Sequence, residues 1–391
     1  MRKTIFIFLF FLLFLPGSVL GVDFSYEQLI EDSERYGQEH FMIEEEGYKE
    51  VFFQGQVLQV GEEEFYEVFP GYREKKQVIK VRLIDTGEVV EVENTVVEGV
   101  EQGRVFEEGE RVVLVGYKDE EGVVFYYIHD YNRTGGLVLV TVIFLIVIIY
   151  FGRVRGVGAL GGLAFSAVVL IYFVIPRIVA GSNPAVVTLI GSVLIASVSL
   201  FLSHGINRRT PIIWLSTITT LALAVGLSSF FIDVTNLFGM GSDASLSFQI
   251  GDYAHINLRG LLLAGVVISV LGILDDVTAT QTATIWELKK SNNKLGFHEL
   301  YRRGLNVGRE HIASLVSTLA LVYAGASLPL FIILGGIDYM PLWVKINSEP
   351  LAEEIVRTII GSTALILAVP IASVFAAYFI GKTQIKKGSE E

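Results

Sequence analysis

Residues 272–311 read GILDDVTATQTATIWELKKSNNKLGFHELYRRGLNVGREH. The stretch begins where an apolar run, Leu261–Leu274, drives into two adjacent carboxylates, Asp275 and Asp276. A Thr- and Gln-rich segment follows, then a basic connection with Lys289, Lys290 and Lys294. Gly308-Arg309-Glu310-His311 then opens a second apolar run. Ionisable groups at the end of a bilayer span are costly and mark places of function. This junction decides the fold class: a polytopic α-helical membrane protein.

Composition agrees. The chain is 52% hydrophobic over 391 residues, with a mean hydropathy of +0.54, which is the range of membrane proteins rather than soluble domains. Charge is divided unevenly. Residues 22–134 hold 28 Asp and Glu against 11 Lys and Arg, a net −17, so the rest carries +5 of the total −12. An acidic aqueous region thus precedes an apolar one with basic connections. The absence of cysteine excludes disulfides, zinc–thiolate centres and thiol nucleophiles. The acidic balance excludes a nucleic-acid groove, which needs basic residues along the phosphates.

Arg2-Lys3, the apolar run Ile5–Leu15 and the stretch Pro16–Gly21 form a secretory signal pattern over residues 1–21, with Val19 and Gly21 suited to cleavage after Gly21. An uncleaved anchor is the other reading. Residues 22–134 are expected to form an acidic extracytoplasmic domain, charged and helical or irregular over 23–48 and β-rich thereafter. Period-2 alternation predicts strands at Lys49–Val60, Gln77–Ile84, Val89–Val96, Arg111–Tyr117 and Val123–His129, with turns at Asp85–Gly87 and Glu107–Glu110. Five short strands suggest a small β-barrel of the oligonucleotide/oligosaccharide-binding (OB) type. The fold does not import nucleic-acid binding. Phe52, Phe53, Phe65, Tyr66, Tyr126 and Tyr127 are read as core or packing, because their neighbours are acidic. The Glu44–Glu46 and Glu62–Glu64 runs are read as solvated faces.

Seven spans are expected in a transmembrane domain over residues 135–381: Leu137–Tyr150, Val157–Ile175, Ala185–Leu202, Pro211–Ile232, Asn257–Asp275, His311–Leu334 and Ile359–Ile380. A tail, 382–391, follows. With the β-rich domain outside, the inward connections and tail carry 13 basic residues, among them Arg153, Arg155, Arg208 and Arg209. The positive-inside rule therefore places the amino-terminal domain outside and the carboxyl terminus inside the plasma membrane. Glycines such as Gly158, Gly162, Gly226, Gly265, Gly272 and Gly325 suit close helix approach.

If the fifth span continues as a helix, Asp276, Thr280, Thr284 and Glu287 share one stripe, and Asp275, Thr278 and Thr282 another. Gln281 lies in the same polar tail. A carboxylate heading a line of hydroxyls suits a cation or proton path, where hydroxyls replace hydration water. The other reading has both Asp residues wet at the interface, paired with loop Lys or Arg. Adjacent acids diverge on a helix, so at most one points into the bundle. Arg309 lies on the same membrane face and can pair with Asp276. Glu310 suits a helix start electrostatically, and His311 is either a proton relay or an interfacial histidine. His204-Gly205-Ile206-Asn207 reads as an ordinary helix boundary. The acidic loop Asp233–His255 reads as a lid or as a solvated loop. No Walker-type glycine loop, His-Glu-x-x-His or Gly-x-Ser-x-Gly occurs, so neither an enzyme nor a cofactor is expected.

Leu271–Leu288 (LGILDDVTATQTATIWEL), Gly308–Ala313 with Leu319–Gly325, and Pro176–Pro184 resemble the YibE/F family of bacterial multi-span membrane proteins. The resemblance implies an outward domain followed by seven spans and carries no activity with it. The family often shows a single acid where this chain has Asp275-Asp276, which leaves open which of the two matters. The resulting expectation is a permease for a cation or a proton-coupled small solute, with the acidic domain as an outer vestibule. The alternative is a non-transporting scaffold or sensor whose extracytoplasmic domain binds an envelope protein.

Overall fold

The computed structural model describes residues 50–69, 72–97, 105–118, 124–242, 245, 247–249, 253–337 and 339–383. The signal segment, residues 23–48, the Glu44–Glu46 run, Asp243, Asp252 and residues 384–391 lie outside the described residues. The chain divides into two compact units, with the boundary after Val147.

The first unit holds a five-stranded antiparallel sheet: β1 (Glu50–Phe69), β2 (Tyr72–Leu83), β3 (Val89–Val97), β4 (Arg111–Lys118) and β5 (Val124–Tyr131), in the order β3-β2-β1-β4-β5. Alternation builds its core. Val57, Ile79, Val81, Leu83, Val92, Val112 and Leu114 point inward and are buried, and Phe106 from the β3–β4 connection closes over them. Both expected turns form, with Gly87 and Gly109 at positive φ (73° and 91°). Edge strands β3 and β5 come within 8 Å of each other, Cα to Cα.

Two expectations need correcting here. The β1–β2 hairpin does not stop at Val60 and Gln77; it runs on as a two-stranded ribbon to Phe69 and Tyr72. Glu62–Glu64 therefore lie in a strand, exposed, with Glu63 paired to Lys75 across the ribbon. Of the six aromatic residues assigned to core or packing, Phe53 and Tyr126 lean on the core, and Phe52 and Tyr127 pack against other rings on the outer surface. Phe52 and Tyr127 occupy the opposite phase of the alternation and are exposed, and Phe65 and Tyr66 are both exposed, one on each face of the ribbon beyond the core. Phe52 meets His129 edge-on at 5.9 Å and Tyr127 meets Tyr117 at 5.8 Å on that outer surface.

Among the described residues, five helical stretches are long and apolar enough to cross a membrane, and six if one bent pair counts as a span. They are α1 (Thr134–Val169), continued by a π-helical turn (Leu170–Val174) and α2 (Ile175–Val179); α3 (Pro184–His204); α4 (Thr210–Val234); α5 (Leu258–Ser291); the pair α6 (Phe297–Ala326) and α7 (Leu328–Gly335); and, after short α8 (Leu342–Asn347), α9 (Glu349–Gly381). The 46 residues of Thr134–Val179 would reach about 70 Å as one helix, over twice the ~30 Å hydrocarbon layer. They are not one rod. The backbone leaves helical geometry at Arg153 (φ 50°, ψ −131°), and a Cβ on Gly156 would lie 2.3 Å from the Ile148 carbonyl oxygen. Residues eight apart in a continuous helix are about 12 Å apart, so the chain doubles back at Gly152–Arg153.

α5 and α9 form the centre of the bundle, against α4 and α6. Leu274, Ile360, Leu365, Ala368 and Ala372 are fully buried there. Close approaches use some of the expected glycines and not others. Cβ atoms on Gly158 and Gly162 would collide with the Leu202 carbonyl oxygen and Ser199 Oγ of α3, at 2.2 and 2.5 Å. Gly226, Gly265, Gly272 and Gly325 face open space.

The fifth span continues well past the carboxylates, since α5 runs 34 residues to Ser291. Lys289 is consequently no loop residue. It is buried, and its ammonium donates to the carbonyls of Asn293, Leu295 and Gly381 at 2.9, 2.9 and 3.1 Å. The sixth expected span, His311–Leu334, is not straight: α6 starts already at Phe297 and meets α7 at a 66° bend. Pro329, within the first turn of α7, has no backbone N–H to continue the α6 ladder. The acidic loop after α4 is tied down at its start. Glu349 accepts from the backbone N–H groups of Phe238 and Met240 (2.7 and 3.1 Å), and buried Glu353 accepts from Gly241 N–H at 2.8 Å. Asp233 pairs with Arg259.

Candidate functional site

α5 carries a face on which Gly272, Asp275, Asp276, Ala279, Thr280 and Ala283 recur at helical spacing. Small residues at three of those positions withhold volume, and polar residues occupy the other three. The result is a polar pocket of about 440 Å³ within the second unit. Its other walls come from Arg155 and Ala159 of α1, Ser203 and His204 at the end of α3, Asn207 in the connection, and Arg209 and Ile213 where α4 begins. Arg155, His204 and Asp276 are exposed, so the pocket is open.

The α3–α4 connection is held rigidly. Asn207 Oδ1 accepts from the N–H groups of Arg209 and Thr210 (2.8 and 3.2 Å), while its Nδ2 donates to the His204 carbonyl at 2.7 Å. Thr210 Oγ1 donates to the Gly205 carbonyl at 2.6 Å. One side chain therefore fixes where both His204 and Arg209 stand, and Arg209 further lies over the Trp286 ring at 5.4 Å. His204 Nε2 lies 3.7 Å from Asp275 Oδ1, within reach as an ion pair but outside hydrogen-bond distance. That Oδ1 atom is buried with no hydrogen-bond partner. A buried acceptor left unpaired costs stability, while the carboxylate as a whole stays about one-third exposed on the pocket wall. Among the described residues no group of three or more His, Asp or Glu could hold a metal ion.

The remaining sequence candidates divide three ways. Asp276 and Thr280 line the pocket with Asp275. Thr284 and Glu287 continue the stripe beyond it; Thr284 donates to the Thr280 carbonyl at 2.9 Å, and Glu287 is exposed. Gln281 points the other way, into the bundle, where its Nε2 donates to the Gly304 carbonyl of α6 (2.8 Å) and to Ser373 Oγ of α9 (2.7 Å). Gln281 is thus a joint between three helices rather than a pathway residue. Thr278 and Thr282 share that inward face, and Thr278 meets Thr217 of α4 at 2.8 Å.

The expected Asp276–Arg309 pair does not form among the described residues. Gly304 and Gly308 are the α6 positions pressed against α5 and α9, and a Cβ on Gly308 would lie 2.3 Å from Val369 Cγ1. Arg309, one residue on, is turned off that face and exposed, as is Glu310. His311 is half-buried, with Nε2 buried and without a hydrogen-bond partner. Sequence reading missed Arg155, His204, Asn207 and Arg209 as site residues. The signal that could have found them was their membrane side: the ends of spans one to four that are rich in basic residues lie on the same side as Asp275.

The family described as YibE/F-like protein matches residues 140–382, more than half of the chain and all of the pocket. This chain belongs to that family. No curated protein and no solved structure matches it. The match begins within α1, runs to the end of α9 and leaves the five-stranded sheet outside it.

Proposed function

We propose that this YibE/F-like chain is a proton-coupled permease for a small solute, with the pocket at Asp275 as its solute site. The observation that carries the reading is the pocket itself: about 440 Å³, open, lined by charge and set among helices long enough to cross a bilayer. Small-molecule sites commonly fall in this size range and between helices of bundles. Asp275, with its buried unpaired oxygen beside His204, is the proton-exchanging group, and exposed Asp276 is secondary. The path expected along Thr284 and Glu287 is not part of the proposal, because those residues lie beyond the pocket.

The chain is read as entering the plasma membrane behind a signal segment, with its acidic domain outside and its carboxyl terminus inside. The thirteen inward basic residues support that orientation. Counting α1 as two crossings either side of Arg153 and α6–α7 as one bent crossing makes seven. The strand order, with β3 and β5 approaching, supports a barrel of the OB type. A reporter fused after Glu391 is expected to be active only in the cytoplasm.

Proteoliposomes of the full-length protein, loaded with mixed small solutes and given a pH gradient, test the transport reading. Solute-dependent proton flux that survives Asp276→Asn and disappears in Asp275→Asn is the expected result. A folded protein that passes no proton with any solute would sink it. The exposed aromatic residues Phe52, Phe65 and Tyr127 favour the second reading, a scaffold whose outer domain docks an envelope protein. Absence of flux would move the weight there.

A further inference from the structure

Charge on the pocket walls narrows the solute. Arg155 and Arg209 contribute two permanent positive charges, and neither forms an ion pair with a described residue. Facing them, Asp275 and Asp276 contribute two carboxylates, one with a buried oxygen that nothing satisfies. A site for a bare cation would not keep two unneutralised guanidiniums on its wall, because like charge raises the cost of entry. A site for a simple anion has the same difficulty with two carboxylates. Both signs are present and on different walls: the guanidiniums on α1 and at the start of α4, the carboxylates on α5, where Asp275 has His204 at 3.7 Å.

Building on the permease reading, we propose that the pocket takes a small zwitterion of amino-acid type. Its carboxylate lies against Arg155 and Arg209, where the planar guanidinium fork matches two oxygens. Its ammonium donates to the carboxylates of Asp275 and Asp276, which line the pocket. Asn207 and Ser203 offer neutral polar groups between the two poles. The pocket volume of about 440 Å³ leaves room for a side chain of leucine size, so charge rather than bulk sets the selection.

The test uses the purified full-length protein in detergent. Thermal unfolding is first followed with each of the twenty protein amino acids. The best stabiliser is then compared in equilibrium dialysis with its two half-molecules, the decarboxylated amine and the deaminated acid; for leucine these are isoamylamine and 4-methylpentanoate. The zwitterion is expected to bind, and each half-molecule to bind roughly tenfold or more weakly, since each leaves a pocket charge unpaired. Arg209→Gln is expected to remove the preference for zwitterion over amine, and Asp275→Asn the preference for zwitterion over acid. The comparison of probes on the unaltered protein stands even where a variant misfolds. Failure of all twenty to bind, or equal binding of an amine alone, of potassium or of magnesium, would overturn the assignment. Zwitterion binding without flux would instead refute the permease and leave the pocket assignment standing. Proton-coupled flux of another solute, without amino-acid binding, would do the reverse.

Discussion

Replacing Lys289 by methionine removes an ammonium while keeping the length and apolar character of the side chain. In the folded protein that ammonium holds three carbonyls at 2.9, 2.9 and 3.1 Å, two in the turn after α5 and one at the end of α9. Hydrogen bonds to a charged group contribute about 1.5–3 kcal/mol each, but the three are coupled and the total must be reduced. Burying the ammonium itself costs several kcal/mol, which the variant no longer bears. The net loss is therefore expected at about 2–4 kcal/mol, a change of roughly 30- to 900-fold in the folded fraction. Equilibrium unfolding in mixed micelles, with Lys290→Met as the neighbouring control, measures it. Lys290 is not buried, and its replacement is expected to change stability by no more than about 0.5 kcal/mol. Equal stability of the two variants would refute the view that Lys289 fastens α9 to the end of α5.

Two further perturbations probe other contacts. Gly158→Val is expected to separate α1 from α3 or to prevent assembly, because the new Cβ meets a backbone carbonyl at 2.2 Å that cannot rotate away; crosslinking between cysteines introduced at positions 159 and 203 reports it, and wild-type yield would contradict it. Glu353→Ala is expected to free the start of the loop after α4. Protease cleavage within 237–242 should then rise about ten- to hundredfold, the equivalent of one charge-assisted hydrogen bond, and an unchanged cleavage rate would show that Glu349 alone secures the loop.

The strand pattern and most helices were legible because burial imposes a period, and period survives in a single sequence. Val57, Ile79 and Val81 alternate whether or not the partner strand is known. What escaped was set by pairing across distance. Nothing local tells that Phe53 faces in while Phe65 faces out on an extended ribbon, since a long hairpin alternates without enclosing anything. Asp275 and Asp276 announced themselves as charges at the end of an apolar run. Their neighbours did not, because Arg155 and Arg209 have a sufficient explanation as topology determinants, and His204 and Asn207 as helix-boundary residues. Gln281 misled for the opposite reason: in one dimension it shares a polar tail with Thr280, yet one residue is about 100° of rotation and carries it from the pocket to the interior.

That rotation has a mechanical consequence. The Gln281 amide bonds α5 to α6 and to α9 through a single planar group, so the three helices translate and tilt together like one casting. The opposite pocket wall, α1 with α3, is seated by its own glycine contacts and stands off Asp275 at His204, 3.7 Å away and beyond hydrogen-bond distance. Any displacement imposed on the end of α9, including one applied through Lys289, is therefore delivered to Asp275 as a movement of the whole trio against the Arg155 wall. The carboxylate and the guanidinium ride on different parts, and the gap between them is the degree of freedom the protein has kept.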